Sequence, residues 1–327
     1  MRTRVLLIVA LAVASSSHGL SGTPKVSSLA YTLVEKGYTP MSLKRYRNEF
    51  YVSCRVNGRR ANLIVDTGAA RTFISGPMLK SLKVPLTKGE ESFSGAARIP
   101  VRSKGGELKD LQVGPYDAGA HPVWTWTFPS HRRGPTLHGL LGMDFLQHHR
   151  AVIDCFRMHL FLKSPSAPSI SSTLSSGLRA GGCTEIPMRR VPGGLGVPAQ
   201  INGRFGYMIV DTGFPHTMLN QLAISGLDMR VVNMPHPYLM TDAAGYGAFA
   251  NKTRFATLKI GNFSVPPQSL AAIKLPSQKR AGPDGMFFGY LGHDLLACYV
   301  GIIDCAALKL FLRFDPVIDA ARRKRSD

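Results

Sequence analysis

Apolar residues along this chain come in short runs broken by turn formers, and few stretches keep a helical period. Residues 61–65 and 207–210 are brief apolar runs of strand length. Each is preceded by an Asn-Gly pair, Asn57-Gly58 and Asn202-Gly203, the dipeptide that most strongly favours a two-residue hairpin turn. Residues 142–147 and 292–297 predict one short helix each, and residues 151–154 and 301–304 predict the strands that follow. The 33 glycines and 22 prolines fit many short strands joined by turns, so the expected fold is mainly β.

The same pattern occurs twice. Val56-Asn57-Gly58-Arg59 has a counterpart in Ile201-Asn202-Gly203-Arg204, and each leads into Ile-Val-Asp-Thr-Gly, at 64–68 and 209–213, an offset of 211 − 66 = 145. Leu140-Leu141-Gly142-Met143-Asp144-Phe145-Leu146 matches Tyr290-Leu291-Gly292-His293-Asp294-Leu295-Leu296. Val152-Ile153-Asp154-Cys155 matches Ile302-Ile303-Asp304-Cys305, now at 304 − 154 = 150, so five residues entered a loop between the blocks. Three ordered blocks at nearly constant offset mark an internal duplication. The expected units are 45–163 and 183–315, joined by a Ser/Pro/Gly-rich linker at 164–182. A mobile or edge segment (23–44) precedes them, and a basic tail (316–327) follows.

An Asp-Thr-Gly directly after an apolar strand puts a carboxylate at the end of a buried element. Gly68 and Gly213 let the backbone turn tightly there without a Cβ, and Thr67 and Thr212 can hydrogen-bond the opposite loop. One such tripeptide is weak evidence; two, each inside a repeated unit, are far stronger.

On these residues the chain resembles a tandem member of the pepsin and retropepsin superfamily of aspartic proteases, in the style of bacterial retropepsin-like domains. The resemblance spans about residues 45–163 and 183–315. It implies two tandem retropepsin-like (acid protease) β-barrel domains related by a pseudo-two-fold, with the active site at their interface. Asp66 and Asp211 would be the catalytic pair, supported by Thr67, Gly68, Thr212 and Gly213, with Leu141-Gly142 and Leu291-Gly292 packed behind the loops. The implied activity is peptide-bond hydrolysis by a water activated between two carboxylates that share one proton. No metal or organic cofactor is needed for that chemistry. The implied partner is a peptide or protein substrate lying extended under two flaps, at 92–97 and 241–245. Candidate substrate contacts are Ala69, Ala70, Phe214, Ser94, Gly95, Ala96, Ala243, Ala244 and Gly245. A covalent tandem supplies both loops, so a monomer with a pseudo-dimeric domain pair is expected.

The second loop departs from the family pattern. It continues Phe214-Pro215-His216-Thr217, where the first has Ala69-Ala70-Arg71-Thr72. In retropepsins the second residue after the motif glycine gives its N–H to the substrate, and Pro215 has none to give. That favours altered specificity, or alternatively a catalytically weak or inactive peptide-binding scaffold on the same fold.

The remaining features change the picture less. Arg2 and Arg4, an apolar run at 5–13 and the small residues at 12–14 read as a signal peptide (1–22), hence a secreted or periplasmic protein. No later stretch is apolar enough to span a bilayer. The net charge of +20 comes from scattered basic residues with one tight cluster at 322–325, which argues for a solvated basic face and against nucleic acid. Five cysteines, with no Cys-x-x-Cys pair, leave room for one or two disulfides and at least one free thiol. His131, His138, His148 and His149 lack a metal-site spacing, and Asp154 and Asp304 read as a structural pair.

Overall fold

The computed structural model describes residues 27–46, 49–95, 100–127, 134–225, 227, 229–232, 238–241, 247–254, 257–275 and 285–323. The N-terminal apolar run, His131, Ala96 and the second flap tip with Ala243, Ala244 and Gly245 lie outside them. No helix among the described residues is long and apolar enough to cross a membrane.

The first unit is a closed barrel. Glu49–Val56 pairs with Arg59–Val65, and the order continues through Gly139–Leu141, Phe73–Ser75, Tyr116–Trp126 and Gly105–Val113, which pairs back onto Glu49–Val56. Alternation decides what faces inward: Phe50, Val52, Cys54 and Val56 on one strand and Ala61, Leu63 and Val65 on the next are buried. Asn57 (φ 46°) and Gly58 (φ 79°) are both left-handed, as are Asn202 (φ 46°) and Gly203 (φ 83°), the backbone that an Asn-Gly hairpin turn requires.

The second unit runs the same path, Gly194–Ile201, Arg204–Val210, Met286–Leu291, Met218–Asn220, Ser269–Ile273 and Gly247–Arg254. In both units the strand entering Asp-Thr-Gly lies parallel to the later Leu-Gly strand, Val65 opposite Leu141 and Val210 opposite Leu291.

A six-stranded sheet joins the units, in the order Thr39–Ser42, His159–Leu162, Val152–Asp154, Ile302–Asp304, Lys309–Leu312, Thr184–Pro187. Its central pair is antiparallel with Ile153 opposite Ile303, residues that are equivalent in the duplication, so the pseudo-two-fold passes between them. One face of this sheet feeds the core shared by both barrels. The other face, with Val152, Phe161, Ile302 and Phe311, is covered by the helices Ser27–Glu35 and Ser171–Ala180 through Leu33, Leu174 and Leu178.

The second of those helices corrects the linker expected at 164–182. The segment is not a plain connector, because Ile170, Leu174 and Leu178 recur every four residues and form an apolar stripe that the sheet buries. The helix–strand pair 27–42 repeats as 171–187, so the duplicated unit begins earlier than residue 45. At the other end, the basic tail begins as a helix, Pro316–Arg323.

None of the five cysteines is in a disulfide. Cys155 and Cys305 follow the two central strands as buried thiols, and burial pushes both up.

Candidate active site

Each aspartate is fixed first by its strand. Val65 and Val210 are fully buried, and the next N–H, of Asp66 or Asp211, donates to the carbonyl of Leu141 or Leu291, each at 3.0 Å. Leu141 and Leu291 thus act through their backbone as well as their buried side chains.

The two loops then hold each other. Thr67 Oγ1 donates to Val210 O (2.9 Å) and accepts from Thr212 N–H (3.1 Å). Thr212 Oγ1 donates to Val65 O (2.7 Å) and accepts from Thr67 N–H (3.0 Å). Both threonines are buried, so every one of these groups would be orphaned without its counterpart in the other half. A Cβ at Gly68 would collide with the Asp211 carboxyl group, and one at Gly213 would lie 2.6 Å from Asp66 Cγ. Glycine is required here because the opposite aspartate occupies that space.

This close approach brings the carboxyl groups of Asp66 and Asp211 within hydrogen-bond reach of each other. Asp66 Oδ1 accepts from Gly68 N–H (2.8 Å) and Ala69 N–H (3.0 Å); Asp211 Oδ1 accepts from Gly213 N–H (2.9 Å), and Phe214 N–H donates to the backbone carbonyl of Asp211 (3.3 Å). Burial raises Asp66 above the usual carboxylate range, against the pull of the Ala69 and Gly68 N–H groups. Burial raises Asp211 much further, and the neighbouring Asp66 charge adds to it. Asp66 keeps some access to the cleft while Asp211 is buried, so the cost of burying a charge falls more heavily on Asp211.

A second tier braces the loops from behind. Thr72 N–H and Oγ1 donate to the two oxygens of Asp144 (3.0 and 2.8 Å), and Gly142 N–H donates to Thr72 Oγ1 (3.2 Å). In the other half Thr217 N–H and Oγ1 both donate to Asp294 Oδ1 (2.6 Å each), and Gly292 N–H donates to Thr217 Oγ1 (3.0 Å). Met143 N–H donates to Ala69 O (2.8 Å) and His293 N–H to Phe214 O (2.9 Å). Gly142 and Gly292 are needed because a Cβ there would strike the Arg71 and His216 backbone. Sequence reasoning missed Thr72, Thr217, Asp144 and Asp294. The signal was present, since both threonines follow their aspartate by six residues and both acids sit in the repeated Gly-x-Asp.

The substrate-contact candidates divide. Ala69 adjoins the Asp66 carboxyl group through its N–H, Phe214 N–H turns back to the Asp211 carbonyl, and Ala70 is exposed at the loop rim. Ser94 ends a hairpin strand, Glu91–Ser94 paired with Pro100–Ser103, and Gly95 starts its turn. Phe93 of that hairpin packs edge-on against Phe73, 5.0 Å away, tying the hairpin to the first loop's wall. Tyr238–Thr241 and Gly247–Arg254 form the corresponding hairpin of the second unit.

The other candidates are structural. Asp154 accepts from Arg157 N–H and its guanidinium (both 2.9 Å), and Asp304 accepts from the Ala306 and Ala307 N–H groups (3.1 and 2.9 Å), so each caps the turn after its strand. His149 is buried against Tyr116, its Nδ1 2.9 Å from the hydroxyl, and burial pushes it down to about 3.

The aspartyl protease family is matched by residues 52–145 and 197–295, two segments displaced by 197 − 52 = 145 and 295 − 145 = 150 residues. The chain belongs to the aspartyl protease family. Both matched segments of this aspartyl protease contain one Asp-Thr-Gly and end at the Gly-x-Asp brace, so the family's repeat coincides with the duplication. Its fold is similar to that in the crystal structure of the aspartic proteinase from Irpex lacteus, with a TM-score of 0.52 at 14% identity, covering 87% of this chain and 99% of that one. No curated protein matches the sequence.

Proposed function

We propose that this aspartyl protease is an exported endopeptidase whose hydrolytic pair is Asp66 and Asp211. The observation that carries the reading is the reciprocal Thr67–Thr212 bonding, which brings two carboxyl groups from different halves into mutual reach. Two adjacent buried carboxyls cannot both ionise cheaply, so over a pH interval they hold one proton between them. Ionised Asp66 takes a proton from a water seated between the pair as the water oxygen bonds to the scissile carbonyl carbon, while protonated Asp211 gives its proton to the carbonyl oxygen. The resulting tetrahedral diol collapses as Asp66 passes its proton to the amide nitrogen, the C–N bond breaks, and a diol hydroxyl returns its proton to Asp211 as the product carbonyl forms. Substrate would lie extended beneath the two hairpins, reading the Ala69-Ala70 rim on one side and Phe214 on the other.

A second reading, a peptide-binding scaffold with little turnover, is favoured by Pro215, which removes one backbone donor from the second rim, and by the bulk of Phe214 beside the catalytic loop. Incubating the purified protein with a mixed peptide library at acid and neutral pH, with and without pepstatin, separates the two. The endopeptidase reading expects pepstatin-sensitive cleavage that falls by about 10²–10⁴-fold or more in Asp66→Asn and Asp211→Asn. Absence of cleavage across the whole range, with the Asn variants indistinguishable from the parent, would leave the scaffold.

A further inference from the structure

The residue three positions after each aspartate closes the loop back onto it, Ala69 N–H donating to Asp66 Oδ1 (3.0 Å) and Phe214 N–H to the Asp211 backbone carbonyl (3.3 Å), so its side chain begins beside the reacting atoms. In the first half this residue is Ala69, which packs against the cluster of Phe73, Trp124, Trp126 and Leu140. The indole Nε1 of Trp124 is buried there without a hydrogen-bond partner. In the second half the same position is Phe214, whose ring stacks on Tyr290 with centroids 4.7 Å apart and planes 10° apart. It packs on the wall that includes Met218 and Ile273. The walls correspond, Phe73 to Met218 and Leu140 to Tyr290, but the loop residue packed on them is a methyl in one half and an aromatic ring in the other.

We propose that Phe214 occupies one of the two side-chain subsites flanking the aspartates, so that the substrate carries a small residue on the second-half side and can carry a large apolar one on the first-half side. The inference rests on the endopeptidase reading and adds the substrate class. An added methylene against a filled pocket is worth about 10–200-fold in discrimination, so an entire aromatic side chain is excluded at the blocked position. At the first-half position only a methyl stands between the loop and the aromatic wall.

The test is the ratio of kcat/KM for paired peptides differing only in Ala against Phe, placed in turn at each position near the scissile bond. The parent is expected to prefer Ala by at least about tenfold at one position and not at its counterpart across the bond. Phe214→Ala should remove that preference, and Ala69→Phe should impose a matching one on the other side. Phe214→Leu, which keeps most of the packing on Tyr290, should weaken the preference partly and guards against loss of folding. Equal preferences on both sides in the parent, or an unchanged ratio in Phe214→Ala and Phe214→Leu together with a lowered melting temperature, would make Phe214 a packing residue and overturn the proposal. The same Ala and Phe series built as non-cleavable reduced-amide peptides, measured by calorimetry, distinguishes the two claims. Graded binding without cleavage sinks the endopeptidase reading while supporting the subsite, and absence of both sinks both.

Discussion

Asp66 and Asp211 occupy equivalent positions and are chemically unequal. Asp66 has two firm N–H donors and some access to the cleft, whereas Asp211 is buried and faces the Asp66 charge. The sign of the effect on stability follows. A carboxyl raised in the folded state gives stability that is fully present below its unfolded value, about 3.9, and lost as pH rises through the folded value. Replacing it by a neutral amide removes that loss. Asp211→Asn should therefore gain melting temperature relative to the parent between pH 4 and pH 7, while losing activity throughout; an equal difference at both pH values would contradict the burial of the charge. Thr67→Val orphans Thr212 N–H and Val210 C=O, and urea unfolding should register a loss of about 2–4 kcal/mol. The aspartates, threonines and glycines of this site were legible because they recur as a contiguous motif. Thr72, Asp144, Thr217 and Asp294 were not read, because their partners lie 72 and 77 residues away and only the fold brings them together.

At the scale of elements, the hairpins announced themselves through Asn-Gly, since few other pairs tolerate two left-handed residues in succession. The helix Ser171–Ala180 did not. Its serines and Gly177 are poor helix formers, so composition suggested a linker, and tertiary burial of one stripe decided otherwise. Side-chain bonds add to the docking: Ser171 Oγ donates to Asp304 Oδ2 (3.2 Å) and Lys309 Nζ to Ser175 Oγ (2.9 Å). Leu174→Ala, at 3% exposure, should cost about 2–4 kcal/mol in urea unfolding. A change below about 0.5 kcal/mol would return the segment to the status of a linker.

On the whole-molecule scale, the duplication predicted the two halves, yet not how they join. The joining sheet uses strands from both ends of each unit, and its central pair, Ile153 against Ile303, is a contact that no local pattern encodes. One hydrophobic core runs from the first barrel through this sheet into the second, including Leu63, Ile153, Ile303 and Val210. The two halves should accordingly unfold in one calorimetric transition, and two resolved peaks would contradict a shared core. Because both members of the aspartate pair are raised, the interval in which they hold one proton lies above the range of ordinary carboxylates. The pH dependence of kcat/KM on a single cleaved peptide tests the pair most directly. The account predicts a bell whose acid limb lies above the range of ordinary carboxylates, with a separate alkaline limb, both abolished in Asp66→Asn and Asp211→Asn. A profile without two limbs, or one retained in either Asn variant, would contradict it.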